Sequence, residues 1–156
     1  MLFARIYVIM SIAKKKFEGF SDFEREAMRN RAKELLAEAK VSKNKAQGEN
    51  DVIAAINALT GLDKSMAMGV HELVKKTAPQ LSPKTWYGMP AYANSEGKVV
   101  CFFQAADKFK ARYATLGFSD EARLDAGEMW PSSFALTKLS PKVKLEIAKL
   151  VKLAVR

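Results

Sequence analysis

The apolar pattern of the chain changes period at Pro79, and this change bounds the folds open to it. Upstream, apolar residues recur at the spacing of helix faces; downstream they fall into short β-branched and aromatic runs. Ser21-Asp22-Phe23-Glu24 is a capping-box pattern, and it opens a helix running to about Lys40. The apolar set of that helix, Phe23, Ala27, Leu35 and Ala39, recurs at multiples of four. Lys43 to Gly48 then reads as a break. A second helix over about Asp51 to Leu59 turns Val52, Ile53, Ile56 and Leu59 inward before Gly61 stops it. Asp63 caps a third, to about Ala78, with Met66, Val70, Leu73, Val74 and Thr77 as its apolar stripe.

Beyond Pro79, Lys98 to Gln104 and Ala111 to Phe118 are strands, the second with Phe118 set opposite Ala114 and Leu116. Trp86–Tyr87, Ala91–Ala93 and Phe134–Thr137 are weaker strand signals, and Asn94-Ser95-Glu96-Gly97 has hairpin-turn chemistry. Ser140-Pro141 opens an amphipathic C-terminal helix, with Ser as N-cap and Pro in the first turn. This order predicts an α+β domain with helices packed on a mainly antiparallel sheet. Residues 1–19 are an N-terminal extension and residues 20–156 one domain, with a core of about 50–156 behind a helical N-terminal part.

Composition narrows the class further. Of 156 residues, 49% are hydrophobic and 28% charged, which excludes collagen-like, disordered and disulfide-framework chains. A chain of this size buries roughly 68–70% of its unfolded surface and needs no staple. The single cysteine, Cys101, allows no intramolecular disulfide, which points to a reducing cytoplasm. Met1 to Ala13 is apolar apart from Arg5, but short of the about 20 residues of a membrane span. The basic residues Lys14 to Lys16 follow it, the wrong order for a signal peptide, and Met10 is an alternative start. No membrane association is expected.

No Walker loop, dinucleotide fingerprint, nucleophile elbow or paired-cysteine zinc spacing occurs. The one imidazole, His71, falls about 120° from the stripe of its helix at ~100° per residue, a solvated or rim position. Cys101 lies within an apolar strand, where cysteine acts as a small hydrophobe. No catalytic residue is identified and no enzyme is expected. The densest segment is Lys84-Thr85-Trp86-Tyr87-Gly88-Met89-Pro90-Ala91-Tyr92. Its rings either plug a kinked strand against the helices or line a ligand cleft of Lys84, Trp86, Tyr87, Tyr92, Lys108, Arg112 and Trp130.

Two charged features add candidates. Asp120, Glu121, Asp125 and Glu128 offer carboxylate oxygens to a hard cation, or form a solvated turn with Ser119 capping a helix. The net charge is +9, and residues 138–156 carry six basic residues against one acidic. Lys142, Lys149, Lys152 and Arg156 share a helical stripe that fits an anionic partner, nucleic acid or acidic protein, or simply faces water.

Lys84 to Tyr92, Gly97 to Phe103, Lys108 to Phe118, Leu124-Asp125 and Met129-Trp130-Pro131, in this order, resemble the YdhG-like bacterial family. The resemblance covers roughly residues 50–156. It implies helices on an antiparallel sheet and, through the branch described as a frataxin-like intracellular iron chaperone, a non-enzymatic carrier of iron or a small ligand. Iron would then be the cargo, with the four carboxylates as its site.

Overall fold

The computed structural model describes residues 19–41 and 45–156. The N-terminal extension before Gly19, with the alternative start at Met10, lies outside the described residues. Among the described residues the order is α1 (Asp22–Val41), α2 (Lys45–Asn57), α3 (Gly61–Thr77), β1 (Ser82–Trp86), β2 (Met89–Ala93), β3 (Val99–Gln104), β4 (Ala114–Phe118), β5 (Ser133–Leu136) and α4 (Pro141–Ala154). The five strands form one antiparallel sheet in the order β1-β2-β3-β4-β5. The expected α+β class is therefore found. No described helix is long and apolar enough to cross a membrane.

Register fixes which side chains share a face. Tyr92 pairs with Cys101, Cys101 with Phe118, Phe103 with Leu116, and Ala114 with Leu136. These are buried together with Val52 and Ile56 of α2, Met66, Val70 and Val74 of α3, and Ile147 and Val151 of α4. Phe118 thus lies on the same face as Ala114 and Leu116, correcting the looser assignment from the strand pattern. The other parity carries Lys84, Trp86, Met89, Ala91, Phe102 and Gly117.

Local capping follows the sequence. Ser21 N–H donates to Glu24 at 3.0 Å and Glu24 N–H to Ser21 Oγ at 3.2 Å, closing the box on α1. Val143 N–H donates to Ser140 Oγ at 3.3 Å at the start of α4. Three expectations change. Thr60, not Asp63, is the N-cap of α3. Asp63 is buried and accepts the Asp107 N–H at 2.9 Å instead. No helix follows Ser119, whose hydroxyl caps only a turn by accepting from Glu121 N–H at 3.2 Å. Leu35 stands 36% exposed, so the α1 stripe is not a core face.

Gly48, expected in a break, lies inside α2. A Cβ there would sit 2.2 Å from the backbone oxygen of Pro83 in β1, so α2 can lie on β1 only with glycine at this position. Gly48→Ala gains about 1 kcal/mol of helix propensity but introduces a collision with unyielding backbone. Overpacking of this kind costs about 1–3 kcal/mol, so the collision outweighs the propensity. Thermal unfolding is expected to show Tm lowered by a few degrees; an unchanged or higher Tm would show that α2 can slide away from β1 freely.

Candidate functional site

An up-and-down sheet sorts its connections between two ends. The β1–β2 turn and the β3–β4 loop lie at one end, the β2–β3 turn and the β4–β5 connection at the other. This sorting divides the residues proposed for a cleft. Trp86, Tyr87 and Lys108 come together at the first end. Trp130 lies in the β4–β5 connection, 37% exposed, at the opposite end. Lys84 starts from β1 but reaches to the Gly97 oxygen, 3.4 Å away in the β2–β3 turn. Arg112 is exposed and its guanidinium lies over the Tyr113 ring, 5.2 Å from the centroid. Tyr92 is 1% exposed within the core and cannot line an open cleft. The seven residues do not form one cleft.

What does assemble is centred on the β1–β2 turn. Trp86 pairs with Met89, leaving a two-residue loop, and both loop residues have positive φ, 52° at Tyr87 and 74° at Gly88. A type I′ turn requires this pair of angles because it matches the strand twist. Glycine adopts it readily, whereas a tyrosine there carries about 1–3 kcal/mol of strain. With both residues in this conformation, their successive N–H groups point to one place.

The carboxylate of Glu34, from α1, occupies that place. Tyr87 N–H donates to Oε2 at 2.8 Å and Gly88 N–H to Oε1 at 2.7 Å. Two cations flank the turn. Arg31 Nη1 lies 3.8 Å from Glu34 Oε2, with the two side chains 11% and 10% exposed. Its guanidinium also stacks over the Tyr87 ring at 5.5 Å. Lys108 Nζ donates to the Gly88 carbonyl at 3.1 Å. A Cβ on Gly88 would lie 2.7 Å from that nitrogen, the movable end of a flexible side chain, so it is the positive φ that calls for glycine here. The rings continue from the turn onto the sheet: Trp86 lies 4.9 Å from Tyr87 and 5.1 Å from Phe102, all three half-buried. Burial pushes the Tyr87 phenol above its ordinary range, with Arg31 opposing and Glu34 reinforcing the shift. Asp63, by accepting from Asp107 N–H, ties the loop bearing Lys108 to α3.

The acidic residues lie at the other end. Glu121 accepts from Asn94 Nδ2 at 3.1 Å and lies 3.5 Å from Lys98 Nζ, while Asp120, Asp125 and Glu128 face solvent. Among the described residues, no three of His, Cys, Asp or Glu come together as a metal-holding group. Lys142, Lys149 and Lys152 on α4, and Arg156 just beyond its end, are all exposed.

Sequence reasoning misplaced His71, which is 2% exposed rather than at a rim. The buried stripe of α3 includes Asp63, Ala67 and Val74 and leaves Leu73 and Thr77 half-buried, so its centre is rotated towards His71. The spacing Ala67, His71, Val74, Ala78 carries that signal. His71 Nδ1 lies 3.0 Å from the Tyr92 hydroxyl, which has a proton to donate, and Nε2 lies 3.6 Å from Glu49 Oε1. Lys75, one turn on, also contacts Glu49. Cys101, paired with Tyr92, is the small buried hydrophobe expected, its thiol pushed up to about 12 by burial.

Compared with known proteins, the chain matches no family model, no curated protein and no solved structure.

Burial holds the His71 imidazole below its ordinary 6.5, the Glu49 charge opposing this only in part. The Lys75 contact holds Glu49 below 4.5. Below pH 6.5 the unfolded chain takes up a proton on His71 that the folded chain resists, so stability falls with pH. Loss of the Glu49 contribution follows as pH drops through 4.5 and below. Urea midpoints are expected to decline from pH 7.5 to 5, and His71→Gln to flatten that part of the profile. An equally steep decline in the variant would place the titrating group elsewhere.

Proposed function

We propose that this protein is a non-enzymatic binding domain for a small anionic ligand, received at the β1–β2 end of the sheet. The observation that carries this reading is the Glu34 carboxylate held by two successive backbone N–H groups between Arg31 and Lys108. Paired N–H groups of this kind are a general anion receptor. The neighbouring rings of Trp86, Tyr87 and Phe102 suit a ligand with a planar apolar body beside its charge. The likeness to the YdhG-like family agrees with a small-ligand carrier. The iron version draws less support, since the carboxylates it needs are turned apart.

The test uses Trp130→Phe, which leaves Trp86 as the one indole of the chain. Fluorescence and calorimetric titrations with phenyl phosphate are made on this protein and on its Glu34→Ala form. Saturable binding at about 1 mM or tighter, roughly 4 kcal/mol, is expected in at least one of them. Inorganic phosphate should bind more weakly, and Lys108→Met should weaken both ligands. Absence of saturation in both proteins would reject the reading.

A second reading rests on α4. Among the described residues Lys142, Lys149 and Lys152 make no ion pair, which leaves a basic stripe without counter-charge. Such a stripe could hold a nucleic-acid backbone. Gel shifts with random duplex DNA should then weaken steeply with salt. Unchanged affinity on replacing the three lysines and Arg156 by Gln would remove this reading.

A further inference from the structure

We infer that α1 is a built-in competitor for the proposed ligand, with Glu34 occupying the anion seat until α1 is displaced. The inference rests on the small-anion reading above and adds the element that regulates it. Three observations carry it. First, Glu34 meets its donors as a bound carboxylate would, one oxygen to each N–H, at 2.8 and 2.7 Å. Second, these donors belong to the β1–β2 turn, 53 and 54 residues away in sequence, so the seat is built on the sheet and not on α1. The turn is set by the β1–β2 pairing, and Lys108 is fixed to it through the Gly88 carbonyl.

The third observation concerns how α1 is held. None of its residues from Asp22 to Ala37 is fully buried, and none belongs to the core cluster shared by α2, α3, α4 and the sheet. Among the described residues, the docking contacts that follow are peripheral. Phe23 meets Phe109 edge-on at 5.0 Å, Arg31 stacks on Tyr87, and Glu34 fills the turn. Elements with little buried apolar contact open at low free energy relative to the whole fold. The helix can therefore swing away while the core stays folded.

Displacement exchanges one oxyanion for another at the same two N–H groups. No bond is made or broken beyond hydrogen bonds, and Arg31 leaves with α1. An incoming phosphate or carboxylate regains the two N–H donors and can draw the Lys108 ammonium, which is carried on the β3–β4 loop. Its planar body can rest on Trp86 and Phe102. The apparent affinity is the intrinsic affinity reduced by the fraction of molecules with the seat open. If the seat is open about a tenth of the time, removing the competitor tightens apparent binding about tenfold.

The experiment compares the full chain with two variants that weaken the competitor differently. Glu34→Ala removes the occupant, and Phe23→Ala leaves it but loosens the docking of α1. Each is titrated with phenyl phosphate by calorimetry, and hydrogen exchange of α1 is followed with and without that ligand in the unsubstituted chain. Both variants should bind about tenfold more tightly than the unsubstituted chain, with little change in Tm. The ligand should also accelerate exchange along α1 while leaving α3 protected. Equal affinity in all three proteins would overturn the competitor role and leave the ligand reading standing. Weaker binding by Glu34→Ala would also overturn it, by making Glu34 part of the receptor. Absence of binding in every protein would overturn the ligand reading itself, and the competitor with it.

Discussion

A two-residue turn between β1 and β2 sets the pairing of Trp86 with Met89, and the parity of the sheet continues from that pair. A slip by one residue would exchange the two faces, taking Tyr92 off the face packed on the core cluster and putting the smaller Ala91 there. The turn keeps its register because both loop residues accept positive φ, which tyrosine does only under strain. Such strain persists where the surroundings fix the conformation. Here the Trp86–Met89 pairing closes the turn and Lys108 binds the Gly88 carbonyl, while Glu34 and Arg31 of α1 rest against it. The two N–H groups that this turn presents define a place for negative charge.

The two polar clusters differ in their relation to the core. His71, Glu49, Lys75 and Tyr92 join α2, α3 and β2, and the Tyr92 ring is part of the apolar core itself. Opening this cluster would separate α2 and α3 from the sheet, so it acts on the stability of the whole domain. The Glu34 cluster joins the sheet to α1, a helix that contributes nothing fully buried among its described residues. It can open without unfolding the rest. Buried polar groups in a core specify the fold, whereas a clasp at its edge can serve a ligand.

Features set by neighbours in sequence were legible beforehand. Ser21 with Glu24 and Ser140 with Val143 are capping contacts spanning three residues, and the Asn94–Gly97 turn closes where its composition predicts. The class of fold followed from period alone. Features set by distant chain segments were not legible. Gly48 reads as a helix breaker until Pro83 is placed against it. Trp130 looks like a partner of Trp86 until strand parity sends their loops to opposite ends. His71 was misplaced because Leu73 and Thr77, half-buried in fact, biased the estimated stripe. Glu34 carries no local mark at all, being one acid on a polar helix. Of the expected cleft, Trp86, Tyr87 and Lys108 meet at the turn, joined by Phe102 and by residues of α1.

The charge of the chain bears on how such a clasp would work. A carboxylate tethered on α1 competes at high local concentration, so a free ligand must gain something that Glu34 lacks. A second negative charge is one such gain, because the surplus of +9 raises the local concentration of polyvalent anions more than that of monovalent ones. Contact with the Trp86 and Phe102 rings is another, since Glu34 offers no planar surface to them. Selectivity then comes from the competitor as much as from the seat. Simple carboxylates match Glu34 and gain little, while a planar, multiply charged anion exceeds it on both counts. Salt acts on the two unequally: it screens the free anion during its approach, whereas the Arg31–Glu34 pair, about nine-tenths buried, is shielded from it. Raising ionic strength therefore shifts the balance towards the closed seat.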